Sequence, residues 1–281
     1  MSDRTEIESK VHTQPGRNTP DAALAPHPVI TGAYGGPEGK RAFVDTIFDA
    51  TAADYDRVER WLSFGTGRKY RAQALVRAGL RSGMRVVDVG VGTGLVASGI
   101  TSIVGDANLV VGVDPSSEMR RYAHEALGIS VCAGTAGGIP FEDASFDFLA
   151  MGYALRHIAD LNAAFQEFYR VLRPSQSHHE GQLCIMELTR PRTLLGRLLL
   201  RGHFGLCLQA MRLCCRMGPR TPELWRYYWE TIDQCISPRR VMEALSSAGF
   251  VNVKRHVVGG IFSEYTATRP DHDTSSAPSN T

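Results

Sequence analysis

The nine residues Val86-Val-Asp-Val-Gly-Val-Gly-Thr-Gly94 restrict the possible folds of this chain more than any other stretch. Val86, Val87 and Val89 are β-branched and apolar, which suits a strand buried on both faces of a parallel sheet. Gly90, Gly92 and Gly94 follow at alternate positions, leaving backbone N–H groups bare and open to a ligand. An apolar segment beginning at Leu95 then predicts a helix. Strand, tight turn and helix in this order make a nucleotide-binding βα unit. Its turn faces the crevice at the carboxyl end of the sheet.

The glycine spacing separates one class of nucleotide from another. Dinucleotide enzymes use G-x-G-x-x-G, with the pyrophosphate on the helix N-terminus. Here the pattern is G-x-G-x-G, and Asp88 stands two residues before it. A carboxylate at that place repels a pyrophosphate and attracts an ammonium or a sulfonium. The pattern resembles motif I of the class I S-adenosylmethionine (SAM) methyltransferases, which implies SAM as cofactor, with Asp88, Gly90, Gly92 and Gly94 around it. The next strand, Leu109 to Val113, ends in Asp114, about 20 residues beyond the glycines, where an acidic residue takes both ribose hydroxyls. Pro115-Ser-Ser-Glu118 starts a helix, with Ser116 or Ser117 as cap. Met119, one turn in, is expected against the adenine ring. Thr135 and Ala136 mark the loop that meets the base in such enzymes, and Tyr153 completes the expected cofactor set.

A chain of 281 residues, 43% hydrophobic, is long enough to bury one core plus a cap. Its net charge of +2 supplies no field that would draw it to nucleic acid. The six cysteines include no C-x-x-C pair, and the vicinal Cys214 and Cys215 have no histidine at zinc-ligand spacing. They read as small buried residues of a reducing compartment, and no metal is expected. His178 and His179 fall in a polar loop. Residues 1–38, rich in Pro, Thr, Ala and Gly, are expected to be mobile, with no apolar h-region of a signal peptide. No uncharged apolar run approaches the roughly 20 residues that span a bilayer. The expectation is a cytoplasmic protein with a small hydrophobic acceptor, leaving room for peripheral membrane contact and for a homodimer.

From Gly39 the pattern turns helical, with Phe43, Ile47 and Phe48 on one face, then Tyr55, Val58, Trp61 and Leu62. A helix over 70–80 precedes the first strand. Strands over 129–132, 146–151 and 182–187 alternate with helices, the last of them over 161–172. That alternation predicts a doubly wound α/β fold. Residues 194–217 break the pattern with a leucine stripe punctuated by arginines, and 222–232 is an aromatic helix. Together they read as a cap inserted at about 192–235. A helix over 239–248, capped by Ser237 and stopped by Gly249, leads to two closing strands over 250–258 and 261–268. A Rossmann-like methyltransferase domain over 39–268, its sheet mixed but mostly parallel, would then end in a polar tail from 269.

At Met151-Gly-Tyr-Ala-Leu-Arg156-His157 the resemblance narrows to the UbiE/COQ5/MenG C-methyltransferases of ubiquinone and menaquinone synthesis. It is carried also by Phe48…Tyr55-Asp56, Gly112-Val-Asp114, Ile139-Pro-Phe, Phe168-Tyr-Arg-Val-Leu-Arg-Pro174, Met186-Glu-Leu-Thr-Arg-Pro191 and Tyr227…Glu230-Thr-Ile232. Three positions depart from the family pattern. Leu95 stands where an acidic residue is common, Thr135 replaces an Asp, and His157 replaces an Asn.

The resemblance implies transfer to carbon, with Arg156 and Tyr55 taking part in water-mediated proton abstraction. Arginine is effectively always protonated, so Arg156 is assigned to hold a phenolate-like oxygen or to position a water. His157 titrates near neutrality and is either the base or a structural hydrogen-bonding residue. Adjacent residues leaving a strand point opposite ways, so only one of the two is expected to face the acceptor. Tyr227, Trp229 and Arg190 are assigned to the acceptor. The cap is either a packed core helix or a tunnel for an isoprenoid tail. Three functions stay open: methylation of a polyprenyl quinol or related phenol, methylation of an alkene in a prenyl diphosphate, and an inactive SAM-binding subunit.

Overall fold

The computed structural model describes residues 23–271 apart from 37, 64, 176–180 and 215–217. Seven strands form one sheet in the order β3-β2-β1-β4-β5-β7-β6. They are β1 (Val86–Val89), β2 (Val110–Asp114), β3 (Ser130–Ala133), β4 (Phe148–Gly152), β5 (Gly181–Leu188), β6 (Val251–Val258) and β7 (Phe262–Arg269). The first five run parallel, and β7 lies antiparallel between β5 and β6. Strand β1 pairs with β2 on one side and β4 on the other. The winding direction therefore reverses between β1 and β4, which places a crevice at their carboxyl ends.

The valine-rich strands are apolar on both faces because both faces are covered. Phe148 and Ala150 enter one core with Leu75 of α3 (Gly67–Arg77) and Ile100 of α4 (Leu95–Val104). Leu149 and Met151 enter the other, with Phe165 and Phe168 of α6 (Leu161–Val171) and Leu245 of α9 (Pro238–Ser247). Helix α5 (Ser117–Leu127) follows β2, and Ser116 caps it by accepting from Met119 N at 3.1 Å. Ser237 caps α9 in the same way.

A third apolar core lies outside the sheet layers. It joins Ile47 of α2 (Gly39–Leu62) to Phe204 and Met211 of α7 (Leu194–Cys214) and to Trp225 and Tyr227 of α8 (Thr221–Gln234). The cap thus includes the N-terminal helix α2 as well as the insertion. Asp54 ties them together by accepting from Gly218 N at 2.7 Å and Thr221 Oγ1 at 2.8 Å, at the start of α8.

The segment expected to be mobile up to residue 38 is packed against the fold from residue 24 onward. Leu24 N donates to Asp160 Oδ1 at 2.9 Å, Leu161 N donates to Leu24 O, and Ile236 N donates to Pro26 O. His27 and Ile30 are buried, and residues Thr31–Tyr34 form a single helical turn, α1. The segment is held through its backbone, which leaves no hydrophobic period in the sequence. Residues 1–22, His178, His179, Cys215 and the tail from 272 lie outside the described residues. Cys132, Cys184, Cys207 and Cys235 are free thiols. Among the described residues no His/Cys/Asp/Glu group is placed to hold a metal, and no helix is long and apolar enough to cross a membrane.

Candidate active site

The glycine turn is built by its own backbone angles. Gly90, Gly92 and Gly94 all have positive φ, at 71°, 56° and 92°, a region that side-chain-bearing residues rarely enter. A Cβ on Gly90 would stand 2.7 Å from Ala154 Cβ, whereas one on Gly92 would meet nothing within 4 Å. Gly92 N donates to Asp114 Oδ2 and Ser116 N to Asp114 Oδ1, both at 2.9 Å. Asp88 is fully buried beneath this turn, and neither carboxylate oxygen makes a well-formed hydrogen bond. Burial, reinforced by Asp114, pushes the Asp88 carboxyl up to about 8; burial pushes Asp114 up to about 6.

Above the turn is a cleft of about 330 Å³ lined by Gly90, Pro115, Thr135, Ala136, Ala154 and His157. Helix α2 closes its open side with Lys40, Val44 and Asp45. The same helix grips the surrounding loops. Asp49 accepts from Ser116 Oγ at 2.5 Å, and Asp56 accepts from Thr93 Oγ1, inside the glycine turn, at 2.5 Å.

Past β4 the chain makes a sharp corner. Tyr153 has φ of 61°, a strained value for a side-chain-bearing residue, and its N–H donates to Met186 O at 2.7 Å. A 3-10 turn, Leu155–His157, follows. Such strain persists only where the surroundings fix it, as at a functional site. The turn sends Arg156 and His157 apart. The Arg156 side chain is 3% exposed and its guanidinium Nη1 pairs with Glu187 Oε1 at the end of β5. Arg156 N also donates to Glu187 Oε2 at 3.3 Å, and Leu188 N to Glu187 Oε1 at 2.7 Å. Burial opposes the charge on Arg156, and Glu187 with the neighbouring phenols more than restores it. Arg156 Nε has no partner, and the guanidinium carbon lies 5.3 Å from the Tyr228 ring centroid.

His157 packs instead among rings. Its Nδ1 is 3.0 Å from Tyr227 Oη, and Phe48 meets it edge-on at 5.1 Å. Burial first, then the charges of Arg156 and Lys40, holds its pKa well below 6.5. Lys40 donates to Ile158 O at 2.7 Å, and burial lowers it to about 8.

On the far side of Arg156 is a second, larger cavity of about 790 Å³. Tyr55, Tyr153, Arg156 and Tyr228 form its inner end, and Leu188, Leu200, Phe204, Ile232 and Phe262 its apolar walls. Burial raises the phenol pKa of Tyr55, Tyr153 and Tyr228, so all three are neutral donors.

Comparison with known proteins decides what this arrangement is. The model of the ubiE/COQ5 methyltransferase family matches residues 37–269. The chain belongs to the ubiE/COQ5 methyltransferase family. It is 30% identical over 227 residues to the demethylmenaquinone methyltransferase of Roseiflexus sp., covering 79% of this chain and 91% of that one. It is 28% identical over 230 residues to the ubiquinone/menaquinone biosynthesis C-methyltransferase UbiE of Serratia proteamaculans, covering 79% and 88%. In fold it is similar to the phosphoethanolamine N-methyltransferase 2 of Haemonchus contortus in complex with SAM. That match has a TM-score of 0.54 at 16% identity over 86% of this chain and 59% of the other. The chain is thus a SAM-dependent methyltransferase that transfers to carbon.

The residues of this ubiE/COQ5 enzyme fit that cofactor. The buried Asp88 carboxyl under the turn, with the Ala97 amide close to it, suits a cationic ligand, and the open side of Gly92 admits close approach. The three departures from the family pattern have defined places. Leu95 begins α4, Thr135 forms a two-residue bridge with Gly138 on the cleft wall, and His157 bonds Tyr227.

Several residues expected at the site lie elsewhere. Met119 is 2% exposed and turned inward from α5, away from the cleft wall. Tyr153, at the corner marked by its positive φ, lines the larger cavity and not the glycine-turn cleft. Tyr227 is buried in the cap core beside His157, and Trp229 packs against Phe204 in the cap. Arg190 is half exposed and donates to Asp233 O at 3.1 Å. Sequence reasoning missed Lys40, Asp45, Asp49, Glu187 and Tyr228. A signal existed for the acidic set, since Asp45, Asp49 and Asp56, spaced by four and seven, share one face of a helix.

Proposed function

We propose that this enzyme methylates a ring carbon of a polyprenyl quinol or a closely related phenol. The observation that carries the reading is the position of Arg156. A permanently charged fork, fixed by Glu187, lines a mostly apolar cavity that also carries Glu59, Arg192 and His203, one residue away from the glycine-turn cleft. A long apolar tail with one polar, ionisable head matches that distribution. The names of the relatives agree with it.

When bound, SAM supplies an activated methyl group on a sulfonium, so no covalent nucleophile is required of the protein. The net reaction replaces a ring hydrogen by methyl, and the proton leaves to a water positioned beside Arg156 and Tyr55. The free Nε of Arg156 donates to the acceptor hydroxyl oxygen as that oxygen gains negative character. The ring carbon beside it becomes a better nucleophile, and preorganised donors of this kind contribute most of the stabilisation at such sites. Tyr55 and Tyr228, held neutral, add hydrogen bonds to the same oxygen. Residues of α2 and the cap exclude water and align the two partners, an effect worth on the order of 7–11 kcal/mol. His157 lines the cleft and not the acceptor cavity, which favours a positioning role beside Tyr227.

A prenyl diphosphate acceptor and an inactive subunit have no support in the comparisons. A direct test supplies labelled SAM with a short-chain demethylquinol and, separately, with geranyl diphosphate. Label on the quinol ring carbon is expected. Label in the diphosphate alone would overturn the reading.

A further inference from the structure

Helix α7 carries two apolar faces, and only one of them is used inside the molecule. Leu200, Phe204, Cys207 and Met211 are buried in the cap core. Leu195, Leu198, Leu206 and Leu213, on the opposite face, are 67%, 59%, 69% and 86% exposed. Their spacing brings all four within a narrow stripe at 100° per residue. Arg201 and Arg212 run along one edge of that stripe.

Charge identifies what covers this face. From Leu188 to Pro222 the sequence contains seven arginines and no acidic residue, in a chain whose net charge is +2. A second copy related by a two-fold axis would set arginines against arginines. An anionic bilayer surface is complementary to both the leucines and the arginines. The acceptor cavity opens at the same place, because exposed Leu199 and Arg192 belong to its lining. No described helix is long and apolar enough to span a membrane, so contact of α7 with a bilayer would be along its surface.

We propose that α7 docks the enzyme on anionic bilayers through its leucine stripe, bringing the mouth of the cavity to the lipid surface. The link to acceptor entry rests on the function proposed above; the docking itself does not.

The full-length protein, with neither donor nor acceptor, is sedimented with phosphatidylcholine vesicles with and without phosphatidylglycerol. Binding to the anionic vesicles, weakened by added salt, is expected. Replacing Leu195, Leu198 and Leu206 together by Ser lowers it by about tenfold or more. Arg201→Gln with Arg212→Gln removes the preference for phosphatidylglycerol. Unchanged circular dichroism and unchanged turnover of a short-chain, water-soluble quinol show that the variants fold, while turnover of a long-chain quinol in vesicles falls. Wild-type protein that stays in the supernatant, or a triple-Ser variant that sediments equally, overturns the proposal. So does a wild-type dimer that the leucine changes dissociate, since the face would then belong to a second copy. Vesicle binding without turnover of any quinol refutes the acceptor reading and leaves docking intact.

Discussion

Arg156 and His157 are neighbours in the chain and open onto different chambers, Arg156 onto the large apolar cavity and His157 onto the glycine-turn cleft. The 3-10 turn between β4 and α6 produces this separation. On the function proposed above, chemistry at the acceptor and support of the donor come from consecutive residues.

The pair Arg156–Glu187 is the most consequential contact in the site. Glu187→Gln leaves a buried guanidinium without its counter-charge, and breaking such pairs costs about 3–5 kcal/mol. A loss of that size in urea unfolding is expected, with kcat falling as well. Arg156→Lys keeps the charge and loses the fork, so stability recovers in part while kcat drops about a hundredfold. Equal kcat in Arg156→Lys and wild type would remove Arg156 from the chemistry.

His157→Asn is expected to keep kcat within about threefold, because loss of a general base costs about 100-fold or more. The imidazole is neutral at pH 7, its pKa held well below 6.5 by burial and by adjacent cations. Below pH 6.5 the unfolded chain binds a proton that the folded chain refuses, so stability falls as pH drops through that range. His27, lowered to about 4 mainly by burial, acts in the same direction. His157→Asn should flatten part of this acid limb in denaturation curves taken between pH 4 and 7.

Asp88 is expected to make donor binding pH-dependent. Its carboxyl, at about 8, is protonated at pH 7 in the ligand-free protein. A cation placed nearby favours the charged form, so binding of SAM releases a proton and tightens as pH rises toward 8. Calorimetry in buffers of different ionisation enthalpy should report that release, and Asp88→Asn should abolish it. Wild-type binding without proton exchange contradicts the assignment.

Gly90→Ala and Gly92→Ala separate folding from ligand approach. The first meets Ala154 at 2.7 Å and should lower thermal stability along with SAM affinity. The second has open space around it and carries only the cost of a positive φ, about 1 kcal/mol. Its melting temperature should shift little while SAM affinity falls at least tenfold. Equal losses of stability in both variants would refute the distinction.

How much of this was legible in the sequence follows from what kind of contact each feature is. The βα unit at 86–104 and the alternation after it were readable because valines, glycines and periodic apolar residues report their own backbone states. Ser116 and Ser237 were readable as caps for the same local reason. The strap at 23–30 was not, since it is fixed by backbone hydrogen bonds to distant elements. Glu187 lay inside a quoted motif, yet its pairing with Arg156 joins strand ends 31 residues apart. The corner at Tyr153 was not legible, because a positive φ at an aromatic residue has no signature in composition.

Helix α2 carries Tyr55 into the larger cavity and, one position later, Asp56 onto the glycine turn. The two contacts sit on consecutive residues of one helix, so any displacement of α2 that shifts one shifts the other, and both spaces share a single covering element.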